Sequence, residues 1–221
     1  MLSKKRQSKR GAELIRLAIE KHGELKNRKQ RPPLDQLVLS VFYHLTSVRR
    51  ATRALSELRR GFVDWNEVRV SHPAEVAAAL SSAAWAREGA ERIVWLLGGL
   101  YQLYNRTNLN FLGDLTPTQA RSCLESLPLV RRELADEVLL LSLAVDVLPC
   151  SSAVGRMCHR LGLLENPRPT LRNQRALAKV LDHAYFPTLH LFFCDYAEEV
   201  CLPDDPLCDK CPVARLCNGA H

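Results

Sequence analysis

Four cysteines stand close together near the C-terminus, in the stretch Cys201-Leu-Pro-Asp-Asp-Pro-Leu-Cys208-Asp-Lys-Cys211-Pro-Val-Ala-Arg-Leu-Cys217. Their spacing is C-x6-C-x2-C-x5-C, and they are half of the eight cysteines in the 221 residues. Thiolates are soft ligands, and four of them in one compact loop suit tetrahedral zinc or an iron–sulfur cluster. Two disulfides and four unrelated buried thiols are the alternatives, but this density of cysteines favours a metal site.

The composition is that of a globular protein, with 47% hydrophobic and 25% charged residues. No stretch reaches the roughly 18–20 consecutive apolar residues that a membrane span requires. Cysteines that cluster as ligands, instead of being spread in pairs, are typical of a reducing compartment. We therefore expect a soluble cytoplasmic protein, which would be nucleoid-associated in a prokaryote.

Positive charge is concentrated at the start of the sequence. Residues 1–31 hold eleven Lys or Arg and three Glu, a balance of +8, so that the rest of the chain sums to −1 against a formal net charge of +7. A basic segment joined to a nearly neutral body indicates attraction to a polyanion such as nucleic acid. The alternative is a solvated tail, and we predict that residues 1–11 form a disordered basic arm.

Apolar residues recur at helical spacing along most of the chain, and no segment alternates with a period of two. The pattern therefore predicts an all-α protein. Prolines and N-capping residues divide the chain into separate helices. Between these helices we predict a loop at Phe62–Asn66 and a turn at residues 127–131. The predicted helices cover residues 12–22, 34–46, 47–60, 73–81, 88–104, 117–126, 132–145, 151–161, 173–185 and 187–199.

The cysteine spacing resembles the [4Fe-4S] loop of the endonuclease III family, within the helix-hairpin-helix superfamily of DNA glycosylases. Two further stretches match that family. Val147-Leu-Pro-Cys-Ser-Ser-Ala-Val-Gly-Arg156 resembles its Val-Leu-Pro-Val-Asp-Thr-His-Val-x-Arg, and Asp195-Tyr-Ala-Glu-Glu-Val-Cys201 resembles its Asp-His-Gly-Arg-x-x-Cys. The matches cover about residues 125–217.

The resemblance implies a two-lobed, all-α, helix-hairpin-helix DNA glycosylase fold with a C-terminal iron–sulfur cluster loop. One lobe would comprise residues 12–33 and 132–221 and would carry the cluster loop at 201–217. The other would comprise residues 34–131 and end in the hairpin at 127–131. The implied cofactor is a [4Fe-4S] cluster, with Cys201, Cys208, Cys211 and Cys217 as its ligands.

The hairpin is expected in Leu127-Pro-Leu-Val-Arg-Arg-Glu-Leu-Ala, which resembles the family's Leu-Pro-Gly-Val-Gly-Arg-Lys-Thr-Ala. Such a hairpin presents backbone N–H groups at a helix N-terminus to a DNA phosphate. Here Leu129 and Arg131 occupy the two glycine positions. The alternative is an ordinary corner between two helices that carries no phosphate site. The resemblance implies these DNA-binding residues: His44, Leu129, Val130, Arg131 and Arg132.

Both catalytic positions of the family carry other residues. Glu133 stands where the family has the lysine that forms a Schiff base, and Ser151 stands where it has the catalytic aspartate. A carboxylate cannot form an imine, and a neutral hydroxyl cannot balance a cationic sugar. Glu133, Asp146 and His44 are the candidates for a replacement group.

We therefore expect a monomeric DNA-binding protein, related to base-excision repair, that lacks glycosylase and AP-lyase activity. Its partner would be duplex DNA, with damaged or abasic sites included. The first alternative is an active monofunctional glycosylase whose carboxylate has moved to Glu133 or Asp146. The second is a protein–protein module that uses the former DNA cleft.

Overall fold

The computed structural model describes residues 4–25, 30–80 and 84–219. In these residues the regular structure consists of eleven α-helices and four short 3-10 turns, without a β-strand, so the all-α prediction is confirmed. The turns are Asn110–Asp114, His183–Tyr185, Cys208–Lys210 and Ala214–Leu216. The helices are α1 (Lys4–His22), α2 (Pro33–Tyr43), α3 (Val48–Gly61), α4 (Trp65–Val70), α5 (Pro73–Ala79), α6 (Ala86–Tyr104), α7 (Pro117–Glu125), α8 (Arg132–Ser142), α9 (Ser152–Arg160), α10 (Leu171–Ala178) and α11 (Phe186–Tyr196).

The chain divides into two compact units. Unit 1 combines Met1–Lys29 with Asp146–His221, and unit 2 is Gln30–Val145. The boundary between the units after Val145 differs from the predicted boundary after residue 131, because α8 packs against α2 and α7 and belongs to unit 2. Its apolar side chains are buried in the core of that unit, which assigns the whole hairpin and the helix after it to a single body.

Helix α2 lies at the centre of unit 2, where it contacts α3, α6 and α8. Every residue from Leu37 to Tyr43 is buried, because α2 is covered on several sides. The Phe42 ring packs on the ring of Trp85 just before α6, with their centroids 5.3 Å apart. Such an all-round apolar helix is typical of the middle of a helical domain.

Helix α1 packs against α11 in unit 1, and it corrects the prediction of a disordered arm. The helix begins at Lys4, so residues 4–11 are helical, whereas residues 1–3 lie outside the described residues. Gln7 is only 6% exposed, and Arg10 donates hydrogen bonds to the Leu161 carbonyl at 2.8 Å and to Asn218 Oδ1 at 2.9 Å. These contacts hold residues 4–11 in place as the first part of α1, which continues through Gly11 to His22.

Two helix boundaries also differ from the prediction. Helix α4 begins at Trp65, inside the predicted loop Phe62–Asn66. Asp64 caps its first turn by accepting a hydrogen bond from the Glu67 N–H at 2.8 Å. The predicted helix 173–185 ends at Ala178 and is followed by a separate 3-10 turn. Ser81, the last residue of the predicted helix 73–81, lies outside the described residues. Across the described ranges no helix has the length and apolarity needed to cross a bilayer.

The predicted hairpin is held against α6 by a close backbone approach at Gly99. A Cβ added at Gly99 would lie 2.4 Å from both Cδ and Cγ of Pro128, a ring that cannot move aside freely. The neighbouring Gly98 has no atom within 4 Å of the corresponding position. Gly99 is therefore required for packing, and Gly98 is not.

We expect Gly99→Ala to destabilise the protein by about 1–3 kcal/mol, because the added methyl group must displace the hairpin. Gly98→Ala is the matched control, and it should stabilise α6 by about 0.5–1 kcal/mol through its higher helix propensity. Urea unfolding of both variants measures the two free energies. Equal effects of the two substitutions would contradict the contact between α6 and Pro128.

Candidate functional site

The hairpin keeps a left-handed backbone although its first glycine position carries Leu129. The φ angle of Leu129 is +68°, in the region that favours glycine. Val130 is buried, and its N–H donates to the Leu127 carbonyl at 3.3 Å to close the turn. The turn conformation has thus been retained at a cost of roughly 1–2 kcal/mol, the usual penalty for a side chain in this region.

Helix α8 begins directly after the hairpin. Arg131 is its N-cap residue in an extended conformation, with φ −89° and ψ 171°, and its side chain makes no capping hydrogen bond. Arg132 and Glu133 form the first turn. The N-terminal N–H groups of a helix lack partners within the helix and favour negative charge. The structure thus brings two guanidinium groups and one carboxylate to the same helix end.

Asp136 joins the two helices that flank the hairpin. Its carboxylate is 1% exposed, and Oδ1 accepts a hydrogen bond from Nε of Arg121 on α7 at 2.7 Å. Oδ2 lies 3.8 Å from Nε of Arg132. A buried carboxylate with charge-assisted partners is expensive to disrupt, about 3–5 kcal/mol if one partner is removed. This ion-pair group fixes α7, the hairpin and α8 to one another.

His44 lies beside a second buried carboxylate of α8. Its Nε2 is 3.2 Å from Oε1 of Glu137, which is 2% exposed. His44 also lines the same cavity as Leu129 and Arg131, and its role as a DNA contact stays a prediction. The sequence did not identify Glu137, because a glutamate on the inner face of a helix reads as an exception to the apolar pattern.

A cavity of about 780 Å³ opens at the hairpin, entirely within unit 2. It brings together four of the five residues predicted to contact DNA, whereas Arg132 does not line it. Trp95 on α6 forms part of the wall and is 61% exposed. The lining residues are Val41, His44, Glu88, Glu91, Arg92, Trp95, Leu129, Val130, Arg131, Glu133 and Leu134.

Charges of both signs line this cavity. Glu88 pairs with Arg92 at 2.5 Å, and Glu91 pairs with Arg87 at 3.0 Å, both across one turn of α6. Glu133, at the family's lysine position, adds a third carboxylate to the same wall. Carboxylates weaken the attraction of a nearby surface for phosphate. The groups at the hairpin that favour negative charge are therefore the first N–H groups of α8 and the guanidinium of Arg131.

Ser151 serves as the N-cap of α9, and its Oγ accepts a hydrogen bond from the Val154 N–H at 3.1 Å. The hydroxyl also donates to Oε1 of Glu198 at 3.5 Å. Glu198 stands at a position where the family motif has arginine, and the sequence alone did not connect it with Ser151. A carboxylate is thus present next to the hydroxyl of Ser151.

Asp146, the other candidate carboxylate, faces solvent. Its side chain is 72% exposed, and its Oδ2 lies 3.9 Å from Nδ1 of His183. An exposed carboxylate at this distance gains little from its partner. Of the two acidic groups near the start of α9, Glu198 is therefore the one that contacts Ser151.

The cysteine loop is attached to α9 by two arginines. Arg156 donates to the carbonyls of Cys201 at 2.7 Å and Ala197 at 2.9 Å. Arg160 donates to the carbonyls of Leu202 and Pro203, both at 2.6 Å, and to Sγ of Cys201 at 3.3 Å. Hydrogen bonds to charged donors are the strong ones in proteins. Both guanidinium groups therefore fix the entry of the loop.

The thiols of the loop influence one another. Burial raises the pKa of the Cys211 thiol, a backbone N–H at Val213 opposes this, and the nearby thiols of Cys201, Cys217 and Cys208 raise the pKa further. The Gly219 N–H donates to Sγ of Cys217 at 3.4 Å. In the part of the chain that the structure describes, no three His, Cys, Asp or Glu side chains are arranged to hold a single metal ion.

No protein-family model matches the chain. It is 24% identical over 193 residues to endonuclease III of Thermotoga maritima, which corresponds to 87% of this chain and 86% of that protein. It is 26% identical over 188 residues to the DNA glycosylase/AP lyase ROS1 of Arabidopsis thaliana, which corresponds to 77% of this chain but 13% of that relative. The chain thus spans nearly the length of the first relative and a small part of the second.

Two solved structures share the fold. The whole chain superposes on 97% of endonuclease III in a non-covalent complex with DNA, with a TM-score of 0.70 and 21% identity. A thermostable thymine-DNA glycosylase superposes on 97% of the chain, with a TM-score of 0.64 and 14% identity. The chain therefore has the fold of the endonuclease III-like DNA glycosylases, and its sequence is similar to members of that superfamily.

The left-handed conformation of Leu129 leads to a test of the hairpin. Leu129→Val should destabilise the protein by about 2 kcal/mol, because a β-branched side chain tolerates positive φ poorly and one methylene group is lost. Leu129→Gly should stay within about 1 kcal/mol of the parent, since relief of strain offsets lost packing and higher chain entropy. Denaturant unfolding measures both changes.

Leu103→Val on the exposed side of α6 is the control, and it should change the unfolding free energy by less than about 0.5 kcal/mol. A glycine variant that is less stable than the valine variant would show that Leu129 acts through packing instead of through its backbone conformation.

Proposed function

We propose that this chain is an endonuclease III-like, monomeric DNA-binding protein of base-excision repair that has lost the lysine and aspartate chemistry of its relatives. The observation that carries the proposal is the hairpin backbone. Leu129 keeps a φ of +68° and Arg131 leads into α8 without a side-chain cap, so the anion-binding geometry persists without either glycine. The two catalytic positions, by contrast, hold Glu133 and Ser151.

The hairpin would bind a phosphate of duplex DNA through the first N–H groups of α8. Arg131 lines the cavity, and Arg132 is half exposed beside the same helix end. Backbone N–H groups at a helix N-terminus bind phosphate without reading the base sequence. His44, Val130 and Leu129 would then lie next to the bound strand. We propose abasic or damaged duplexes as its ligands.

The substitutions at the catalytic positions support the absence of lyase chemistry. A Schiff base requires an amine with a free electron pair. Glu133 carries a carboxylate at the family's lysine position, and its neighbours Arg131 and Arg132 remain protonated at neutral pH. A carboxylate in the first turn of α8 is also stabilised by the helix dipole. Glu133 is therefore a stable replacement with no capacity for imine formation.

One observation favours the active alternative, a monofunctional glycosylase. The Ser151 hydroxyl donates to Glu198 at 3.5 Å, so a carboxylate has appeared beside the position where the relatives hold theirs. In such an enzyme Glu198 would activate a water molecule for attack on C1′ of the sugar while the base departs. Asp146, which is exposed and next to His183, is less suited to that role.

We also infer that Cys201, Cys208, Cys211 and Cys217 hold a [4Fe-4S] cluster. The donor set fits this group, because four thiols lie close enough to perturb one another and two of them receive N–H donors from Arg160 and Gly219. Thiolates on a single zinc ion lie about 3.8 Å apart, given a Zn–S distance of about 2.3 Å. In a four-iron cluster each thiolate binds its own iron, so the four sulfur atoms can lie farther apart than they do around one zinc ion.

The cluster would act as a structural cross-link in unit 1. Metal ligation adds folding free energy and requires deprotonated thiols. The raised pKa of Cys211 means that this thiol is protonated at neutral pH before ligation. The four ligands would then release their protons as the loop closes, and Arg160 would continue to hold Cys201 in place.

Protein purified anaerobically is expected to be brown and to contain about four irons per chain. Cys208→Ser should lose the iron and the colour, because three thiolates cannot complete the ligand set. Iron analysis and the absorption spectrum measure both. The control is Cys123→Ser in unit 2, which should keep its iron, and stoichiometric zinc without iron in the parent protein would contradict the proposed cluster.

Binding to an abasic duplex should occur with a strong salt dependence and without a covalent adduct after borohydride reduction. Arg131→Gln should lower the slope of log affinity against log salt by about 0.9, the contribution of one neutralised phosphate. The control is Arg87→Gln on α6, which should leave the slope nearly unchanged. A trapped adduct with the parent protein would show that an amine outside the family's position has taken over the chemistry.

Two variants distinguish the degenerate protein from the active alternative. Glu133→Lys combined with Ser151→Asp should restore borohydride trapping, because the two substitutions return the amine and the carboxylate that the family has at these positions. Base release by the parent protein from a panel of damaged duplexes, abolished by Glu198→Gln, would instead establish the monofunctional glycosylase. Absence of DNA binding in every assay would favour the protein–protein module.

A further inference from the structure

A second cavity, of about 670 Å³, lies within unit 1 between α1, α10 and the residues that follow α9. It shares no residue with the hairpin. Its volume falls in the range of ligand-binding pockets, which are mainly apolar with a few polar groups at defined places. Its lining residues are Gln7, Ser8, Leu163, Leu164, Glu165, Arg172, Asn173, Arg175, Ala176, Lys179 and Val180. We call it the α10 groove.

Apolar side chains form the floor of the α10 groove. Leu163 and Leu164 are 3% and 4% exposed, and Ala176 on α10 and Val180 just after it continue this surface. Helix α1 lies close to the end of α10, because a Cβ at Gly11 of α1 would lie 2.9 Å from the Val180 carbonyl oxygen. The floor is therefore rigid and suits an aliphatic side chain.

Two buried amide side chains stand in the wall. Nε2 of Gln7 donates to the Gly162 carbonyl at 3.3 Å, and Nδ2 of Asn173 donates to the carbonyls of Asn166 at 2.9 Å and Arg168 at 2.8 Å. Among the hydrogen bonds of the described residues, none reaches Oε1 of Gln7 or Oδ1 of Asn173. Both residues are less than 7% exposed and line the groove, so their amide oxygens are acceptors that a bound ligand can reach.

Three cations stand along one face of α10 at the rim. Arg172, Arg175 and Lys179 are spaced by three and four residues, so their side chains project from the same side of the helix. Glu165 offsets Arg172 at 3.3 Å, which leaves a formal balance of +2 on the lining. The groove thus combines an apolar floor, hydrogen-bond acceptors in the wall and positive charge at the rim.

We propose that the α10 groove is a docking site for an acidic peptide segment of a partner protein. An aliphatic side chain of the segment occupies the floor, its backbone N–H groups donate to Gln7 and Asn173, and its carboxylates pair with Arg175 and Lys179. Nucleic-acid backbone fits less well, because phosphates carry no donor for the two acceptors and no apolar group for the floor. The segment binds by the charge-assisted recognition of acidic motifs and is independent of the hairpin.

The test uses a short synthetic peptide in which Asp and Glu alternate with Leu, titrated into the nitrogen-15-labelled full chain. Amide signals of residues 163–165 and 172–180 should shift and saturate. The double variant Arg175→Glu with Lys179→Glu should weaken binding at least tenfold, which corresponds to about 1.4 kcal/mol. Ala176→Trp, which fills the groove without changing its charge, should weaken binding to a similar degree.

Two controls separate this site from general attraction. Arg49→Glu with Arg50→Glu on exposed positions of α3 changes the net charge equally and should leave the affinity within twofold. A peptide with Lys in place of Asp and Glu should not shift these signals. Equal binding of both peptides, unchanged affinity in both groove variants, or displacement of the acidic peptide by a short DNA duplex at the same residues would overturn the proposal.

Discussion

A single buried carboxylate, that of Asp136, holds the hairpin and the two helices that flank it in one arrangement. It receives Arg121 from α7 and lies next to Arg132 at the start of α8, so both arms of the hairpin are tied to one charge. Loss of hydration makes such a charge costly unless its partners stay in place. The same requirement keeps the hairpin in one conformation, and it explains how the turn can hold Leu129 at positive φ without glycine.

Electrostatics near the hairpin differ from what a simple phosphate site would require. Glu133 lies at a helix N-terminus, where a carboxylate is favourable for the protein but unfavourable for a bound anion. His44 is adjacent to the buried Glu137, and the two carboxylates of α6 that line the cavity are paired with arginines. The surface is therefore one in which charges are mostly compensated, so that a change in the number of cations alters its electrostatic potential.

Much of the fold could be predicted from the sequence because its signals are local. Periodic apolar residues gave the helices, and Thr116 with Gln119 marked the start of α7 through a capping box that the structure contains. The prediction of a disordered arm failed because contacts between distant residues stabilise that segment. Residues 4–11 are helical, and Gln7 and Arg10 in this segment contact residues about 150 positions away. The start of α4 is a different case, because its capping residue Asp64 is visible in the sequence, yet the prediction places a loop at this position.

The site could be predicted in part for the same reason. Motif spacing located the hairpin and the cysteine loop, since both are continuous segments. The contact between Ser151 and Glu198 joins positions 47 residues apart, and the pair of His44 and Glu137 joins positions 93 residues apart. No periodicity encodes such pairs. The retained turn at Leu129 was also hidden, because the residue type argues against the backbone conformation that the fold imposes.

The division of the chain also sets an order of events during synthesis. Unit 2 is one uninterrupted segment, whereas unit 1 joins residues 1–29 to residues 146–221 across it. Closing a flexible loop of that length costs about 4 kcal/mol of chain entropy, and prior folding of unit 2 removes most of this cost by replacing the loop with a compact body. On the ribosome α1 must therefore wait for α11, because this packing partner is synthesised only after the whole of unit 2.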